Sequence, residues 1–245
     1  MILLIDIGNS RIKWAEWGAD GLAQAHAAAY RPENLPEQFA DLFRSCRDLR
    51  QVLVASVADQ SLNEALVDWF RQQHNIAVVF AESQARQSGL INAYQQPRRL
   101  GVDRWLMMLA LYRRMVGAFC VIGCGSAITL DLVAADGRHQ GGLIMPGLEM
   151  MRQALITRTA AITQAPGQAA VDLADNTEDA VYSGCLQLAA QGLSGLVAGY
   201  RERFGDHLPC VVSGGDGERI AERMKVACDY EVDLVLKGLG TLLED

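Results

Sequence analysis

The side chains best suited to chemistry begin at the sixth residue, in Asp6-Ile7-Gly8-Asn9-Ser10, with Lys13 three positions beyond Ser10. A glycine in a tight turn lets backbone N–H groups come close to a phosphate, and Asn9 and Ser10 add side-chain donors. Asp6 could hold a hydrated Mg²⁺, which takes few protein carboxylates and completes its shell with water and phosphate oxygens. Lys13 could reach the same phosphates. A plain hairpin turn would accept the same residues, so this pattern alone leaves both readings open. In Gly101-Val102-Asp103-Arg104-Trp105 a carboxylate stands at a helix start, where it could be a proton acceptor or only a partner for the helix dipole. Gly214-Gly215, just after an apolar run, would let a flat ring or a phosphate approach the backbone. Gly141-Gly142-Leu143-Ile144-Met145-Pro146-Gly147 is richer in glycine than a strand needs, and could equally be a tight corner.

These motifs sit at the ends of predicted elements. Residues 2–7 are a short apolar run and read as a buried strand, with residues 11–17 as its returning partner. A third strand is expected in 21–30, a helix over 36–47 and a buried strand over 52–57. Ser61-Leu62-Asn63-Glu64 has capping-box spacing before a helix whose apolar face includes Leu66, Trp69 and Phe70. A strand at 77–80 and a loop over 81–100 precede a helix from Asp103 to about residue 115. This βα alternation implies a sheet with helices on its faces.

The opening pattern then returns. Phe119-Cys120-Val121-Ile122-Gly123-Cys124-Gly125-Ser126 resembles residues 3–10, and 127–133 form the returning strand. Further strands are expected at 142–145, 210–212 and 231–235. Helices are expected from 147 to about 157, from Asn176 as N-cap to about 204, over 218–225 and over 238–243, with a loop over 160–175. The chain therefore reads as an α/β protein duplicated about residues 1–115 and 116–245.

Composition sets limits. A chain of 245 residues can build a full hydrophobic core. A formal charge of −7 without a basic stripe gives no footing for nucleic acid or an anionic membrane. No apolar run reaches the ~18 residues of a membrane span, and the N-terminus has no basic n-region, so a cytoplasmic protein is expected. Cys46, Cys120, Cys124, Cys185, Cys210 and Cys228 contain no CxxC pair, and His26, His74, His139 and His207 are scattered. Free thiols in a reducing compartment, rather than disulfides or a metal cluster, are expected.

In order along the chain stand Asp6-x-Gly8-Asn9-Ser10, Gly101-Val102-Asp103-Arg104-Trp105, Gly125-Ser126-Ala127-Ile128-Thr129-Leu130-Asp131, the glycine-rich 141–147 and Asn176-Thr177-x-Asp179-Ala180-Val181. Together they resemble the type III pantothenate kinases, whose members include proteins described as Bvg accessory factors, over essentially the whole chain. The resemblance implies the duplicated ribonuclease H-like fold of the actin-like ATPases (ASKHA) and an enzyme making 4′-phosphopantothenate from pantothenate and ATP, the first step of coenzyme A synthesis. It also implies a homodimer with pantothenate near the subunit interface, a divalent cation such as Mg²⁺, and a monovalent cation, K⁺ or NH4⁺.

Carried over by position, the resemblance makes Asp103 the general base. Asp6, Gly8, Asn9, Ser10 and Lys13 form the first phosphate motif, with Asp6 on the divalent ion. Gly125, Ser126 and Thr129 belong to the second phosphate motif, and Gly214 and Gly215 serve ATP. Tyr94, Gly101, Val102, Arg104 and Thr177 line the pantothenate pocket. Arg104 suits a carboxylate through its fork of donors. One departure stands out. The family's second motif begins with aspartate, expected to help hold the monovalent cation, and Gly123 occupies that position here. Weakened or absent monovalent-cation activation is the expectation. A non-catalytic nucleotide-binding or accessory protein of the same fold is the first alternative. A kinase for another small hydroxyl substrate, such as a sugar, is the second.

Overall fold

The computed structural model describes residues 1–159, 162, 167 and 171–244. They divide into unit 1, Met1–Met115 with the chain from Asp233 onward, and unit 2, Val116–Val232. Unit 1 contains β1 (Ile2–Ile7), β2 (Arg11–Gly18), β3 (Gly21–Leu22), β4 (His26–Ala29), α1 (Leu35–Leu42), β5 (Gln51–Ser56), α2 (Gln60–His74), β6 (Val78–Phe80), β7 (Arg86–Gln87), β8 (Leu90–Ile91) and α3 (Val102–Tyr112). Unit 2 contains β9 (Phe119–Cys124), β10 (Ala127–Val133), β11 (His139–Pro146), α4 (Leu148–Arg158), α5 (Thr177–Phe204), β12 (Cys210–Ser213), α6 (Gly217–Ala221) and β13 (Asp229–Tyr230). The final helix, α7 (Leu234–Thr241), belongs to unit 1.

The two sheets have one topology. In unit 1 the order is β3-β2-β1-β5-β6, with β4 also on β2, and in unit 2 it is β11-β10-β9-β12-β13. Each begins with an antiparallel hairpin, β1–β2 or β9–β10, whose first strand pairs in parallel with a strand that follows much later, β5 or β12. This is the ribonuclease H-like order, present twice. Each unit has its own core: Leu3, Ile5, Ile7, Val52, Val54, Leu66 and Phe70 in the first, and Cys120, Ile122, Leu130, Leu186, Leu193 and Val212 in the second. Strands covered on both faces read as near-continuous apolar runs, as β1 does. Leu3, Leu4, Ile5 and Ile7 are fully buried, each contributing roughly 1.5–3 kcal/mol. Asp6 is the one polar side chain in that strand, and packing offers no reason for it.

Several expectations need correction. Residues 233–244 pack with unit 1, not with the second half. Gly238 and Gly240 explain this: a Cβ on Gly238 would meet the Leu106 carbonyl oxygen of α3 at 2.2 Å, and one on Gly240 would meet the Trp17 ring of β2 at 2.2 Å. The strand read at 231–235 is instead β13, ending at Tyr230, followed by the first residues of α7. The third strand at 21–30 is two short pieces, β3 and β4. Helix α1 ends at Leu42, and α6 ends at Ala221.

The capping box at Ser61 does not form. Asp59 is the N-cap of α2, Glu64 accepts from Gln60 at 2.8 Å, and Asn63 accepts from the Ser56 hydroxyl at 2.7 Å. By contrast, Asn176 caps α5 as expected, its side-chain oxygen accepting from Asp179 N at 2.9 Å. The loop read over 160–175 lies largely outside the described residues. All six cysteines are free, and all but Cys228 are buried.

Candidate active site

Four charged groups converge in unit 1. Asp6 is the penultimate residue of β1, and Lys13 stands directly opposite it on β2, so the hairpin register alone places a carboxylate beside an ammonium. Asp103 lies in the first turn of α3, and Asp233 at the start of α7. Burial pushes the Asp6 carboxyl up to about 7; Lys13 opposes the rise, and the charges of Asp103 and Asp233 add to it. Three carboxylates against one ammonium leave negative charge in excess.

The turn between β1 and β2 is held from beneath. Gly8 N donates to Arg11 O at 3.0 Å, and the Tyr30 hydroxyl sits 3.1 Å from both the Gly8 and Asn9 carbonyls. Tyr30 escaped the sequence reading because it stands immediately after β4, 22 residues from Gly8, with no local signal. Asn9 and Ser10 are exposed at the tip. Gly8 does not occupy the left-handed backbone region. A Cβ there would lie 3.5 Å from the Arg11 carbonyl oxygen, an ordinary contact, so the turn itself does not demand glycine.

Asp103 and Arg104 are placed by a small polar framework. Gly101 is the N-cap of α3, and a Cβ there would meet Asp103 Oδ1 at 2.6 Å, so the carboxylate folds back over the glycine. Arg104 is buried, at 3 % exposure, and its Nη1 donates to the Tyr94 hydroxyl at 3.1 Å, its guanidinium lying over the Tyr94 ring. Asn92 fixes Tyr94: its side-chain oxygen accepts from Tyr94 N at 2.9 Å, and its amide donates to the Gln84 and Pro97 carbonyls. The 81–100 stretch, expected as plain loop, thus contains the β7–β8 hairpin and a 3₁₀ turn at Pro97–Arg99. Gln87 in that hairpin accepts from Trp105 Nε1 at 3.2 Å, tying it to α3. Val102 is buried.

Unit 2 repeats the hairpin without the Asp–Lys pair near the turn; its one carboxylate, Asp131 on β10, is buried 2.9 Å from His139 Nε2. Gly123 on β9 faces Thr129 on β10 and pairs with Ser213 on β12. Thr129 and Ser213 are both buried. Gly125 N donates to Ala127 O at 3.0 Å, as Gly8 does to Arg11 O. Gly147 closes against the turn, its N donating to Ser126 O at 3.2 Å, and a Cβ there would lie 2.4 Å from that oxygen. Gly214 has φ 102, and a Cβ would meet the Cys124 carbonyl at 2.2 Å, so only glycine fits. Gly215 beside it is exposed, and so is Thr177 at the first position of α5.

Beside Gly214-Gly215 is a cavity of about 360 Å³ lined by Leu148, Glu149, Arg152, Tyr182, Asp216 and Arg219 among others. Two carboxylate-braced guanidiniums border it. Arg152 donates to both Glu149 oxygens, at 2.8 and 2.7 Å, which holds the Glu149 carboxyl below its usual range. Arg219 lies 2.8 Å from Asp216 and donates to the Tyr182 hydroxyl at 3.3 Å. Burial raises the Asp216 carboxyl despite Arg219. None of these residues came from the sequence reading, although Arg219 follows the Gly-Gly pair by four positions and was within reach of it.

The family profile described as type III pantothenate kinase matches residues 2–199. The chain belongs to the type III pantothenate kinase family. A type III pantothenate kinase of Nitrosococcus oceani is 36% identical, over all of this chain and 94% of the relative. One of Laribacter hongkongensis is 33% identical over 99% of this chain and 98% of the relative. Among solved structures, a Campylobacter jejuni chain described as a Baf family transcriptional activator aligns with TM-score 0.60 and 21% identity over 99% of this chain and 97% of its own. A ROK family glucokinase from Streptomyces griseus, in complex with glucose and AMPPNP, aligns with TM-score 0.53 and 13% identity over 98% of each. At these identities the two structures speak for the fold alone. Membership makes the chain a kinase, a phosphotransferase acting on an alcohol group. The non-catalytic alternative gains nothing from the curated relatives, which bear the kinase name.

Proposed function

We propose that this chain transfers the γ-phosphoryl group of ATP to the hydroxyl of pantothenate, giving 4′-phosphopantothenate, with Asp103 as the proton acceptor. The observation that carries the reading is the placement of Asp103 in the first turn of α3, close enough to raise the Asp6 carboxyl and next to the Arg104–Tyr94 pair. Phosphoryl transfer needs little covalent chemistry from the protein; it needs positioning, charge neutralisation and somewhere for the hydroxyl proton to go. Asp103 takes that proton as the bond to phosphorus forms. Arg104, buried and donating to the Tyr94 hydroxyl, is placed to pair with the pantothenate carboxylate. Gly101 and Val102 complete the proposed pantothenate set in unit 1, and Thr177 of unit 2 is proposed for it on the resemblance alone.

The donor set in unit 1 fits Mg²⁺. Burial, together with the charges of Asp103 and Asp233, makes the Asp6 carboxylate one that a cation would neutralise. That is the arrangement expected of an ion held through one or two carboxylates plus substrate phosphates. When bound, Mg²⁺ supplies charge neutralisation at the phosphates. Asp6 holds it there, and Lys13 with the turn at Gly8, Asn9 and Ser10 orients the phosphate oxygens. In unit 2, Gly125, Ser126, Thr129, Gly214, Gly215 and the adjoining cavity serve the nucleotide, with guanidinium planes suited to a nucleobase.

The residues do not fit a carboxylate-bound monovalent cation. Gly123 brings no side chain, and its strand neighbours Thr129 and Ser213 offer only hydroxyls. K⁺ or NH4⁺ activation is therefore proposed to be weak, and no step is assigned to such an ion. A homodimer is supported by apolar side chains left exposed in unit 2: Leu143 and Ile144 on β11, Met150 and Leu155 on α4, and Leu188 on α5. A cytoplasmic location agrees with the free thiols; no helix among the described residues is long and apolar enough to cross a membrane.

Asp103→Asn tests the reading. Turnover should fall steeply while ATP binding and thermal stability persist; near-normal turnover would remove Asp103 from the role.

A further inference from the structure

We propose that Asp233 is a positioning residue for phosphoryl transfer, acting through Lys13. The inference rests on the reading of Lys13 as a phosphate contact. Lys13 Nζ lies 3.4 Å from Asp233 Oδ1, with the two side chains only 26% and 22% exposed. Lysine carries its charge on a flexible four-carbon stem, and an ammonium that must meet a phosphate needs something to fix its direction. From β2, Lys13 faces two carboxylates: Asp6 directly across the hairpin and Asp233 from α7. Without Asp233 the ammonium would collapse onto Asp6, the residue proposed to hold Mg²⁺.

Three features of Asp233 suit it to this task. It stands at the N-cap of α7, where an aspartate ordinarily accepts from the first backbone N–H groups, yet its side chain makes no capping hydrogen bond. Its carboxylate is turned to Lys13 instead. Its backbone is left-handed, φ 58 and ψ 32, a conformation that costs a non-glycine residue free energy and that Asp and Asn tolerate best. Finally, α7 is wedged in place by the glycine contacts of Gly238 with α3 and Gly240 with β2. Those two elements carry Asp103 and Lys13, so the helix that presents Asp233 is fixed against both.

The test is a double-mutant cycle read as the KM for ATP and the KM for pantothenate separately. Asp233→Asn keeps the tolerance for the left-handed backbone and removes the charge. It should raise the KM for ATP about fivefold to twentyfold, with kcat and the KM for pantothenate changed less than about twofold, because a misdirected Lys13 loses binding shared by ground and transition states. Lys13→Gln should raise the KM for ATP at least as much, and adding Asp233→Asn to it should change nothing further. If Asp233→Asn weakens the fold, Asp233→Gly keeps the left-handed backbone and should give the same rise. An unchanged KM for ATP in both Asp233 variants overturns the proposal. So does a rise that multiplies with that of Lys13→Gln, since Asp233 would then act on its own. An unchanged KM in Lys13→Gln overturns the phosphate role of Lys13 first and this inference with it.

Discussion

The two hairpins of this protein are built alike and charged differently. β1–β2 and β9–β10 share sheet order, antiparallel pairing, a parallel third partner and a glycine whose N–H closes the turn. At the same point in the strand, one has Asp6 opposite Lys13, and the other has Gly123 opposite Thr129. Topology therefore does not set the chemistry of the turn; one side chain at the end of the first strand does. In unit 1 the charges of Asp103 and Asp233 act on that side chain, whereas in unit 2 the turn is neutral and lies near a cavity bordered by arginines.

If unit 1 alone carries the charge chemistry, its loss should be severe. Asp103→Asn should lower kcat by about 10²–10⁴, the usual contribution of a positioned proton acceptor, with the thermal midpoint unchanged. Steady-state kinetics beside a melting curve would show it. Next in size, Gly123→Asp should make the two hairpins alike in charge. Activation by K⁺, expected to be about twofold or less in the present chain, should rise several-fold. Strong K⁺ activation before that change would show that hydroxyls at Thr129 and Ser213 suffice and would dissolve the contrast.

The glycines distinguish the turns by stability. Gly214→Ala faces both a positive φ and a backbone oxygen 2.2 Å away, and should cost about 1–3 kcal/mol in denaturant unfolding. Gly8→Ala, whose Cβ would lie 3.5 Å from Arg11 O, should cost less than about 1 kcal/mol.

A comparably small effect concerns pH. The Asp6 carboxyl is raised from 3.8 to about 7, so the folded state binds its proton more tightly than the unfolded state does. Its contribution to stability is complete below pH 3.8 and is lost as pH climbs through 7. Asp6→Asn should therefore stabilise the nucleotide-free protein at pH 8, on the order of 1 kcal/mol given that Asp6 keeps some solvent exposure, and the gain should vanish near pH 4. A gain that grows toward low pH would contradict the sign.

What the sequence disclosed and what it hid have physical reasons. The hairpins were legible because an apolar run, a glycine turn and an alternating strand are local signals, and because they occur twice. Asn176 was legible because an N-cap is a contact between near neighbours. The β7–β8 hairpin was hidden by its two-residue, partly polar strands, although Ser88-Gly89, both at positive φ, was a usable turn signal. Asp233 was hidden because Glu231-Val232-Asp233-Leu234-Val235 alternates like a strand. Its partner lies 220 residues away, and no local pattern reports such a contact. The capping box failed because α2 starts earlier than its spacing suggests: Asp59 is the N-cap, Ser61 falls inside the first turn, and Glu64 accepts from Gln60 instead. Arg152 and Arg219 gain meaning only when α4 and α6 bring them to one cavity.

The central claim is that this chain phosphorylates pantothenate. Purified protein incubated with ATP, Mg²⁺ and pantothenate, followed by coupled ADP release and by mass spectrometry of the product, tests it directly. The account predicts ADP release that depends on pantothenate and equals the 4′-phosphopantothenate formed, with activity lost in Asp103→Asn. ADP release that ignores pantothenate, or follows a sugar instead, would contradict it.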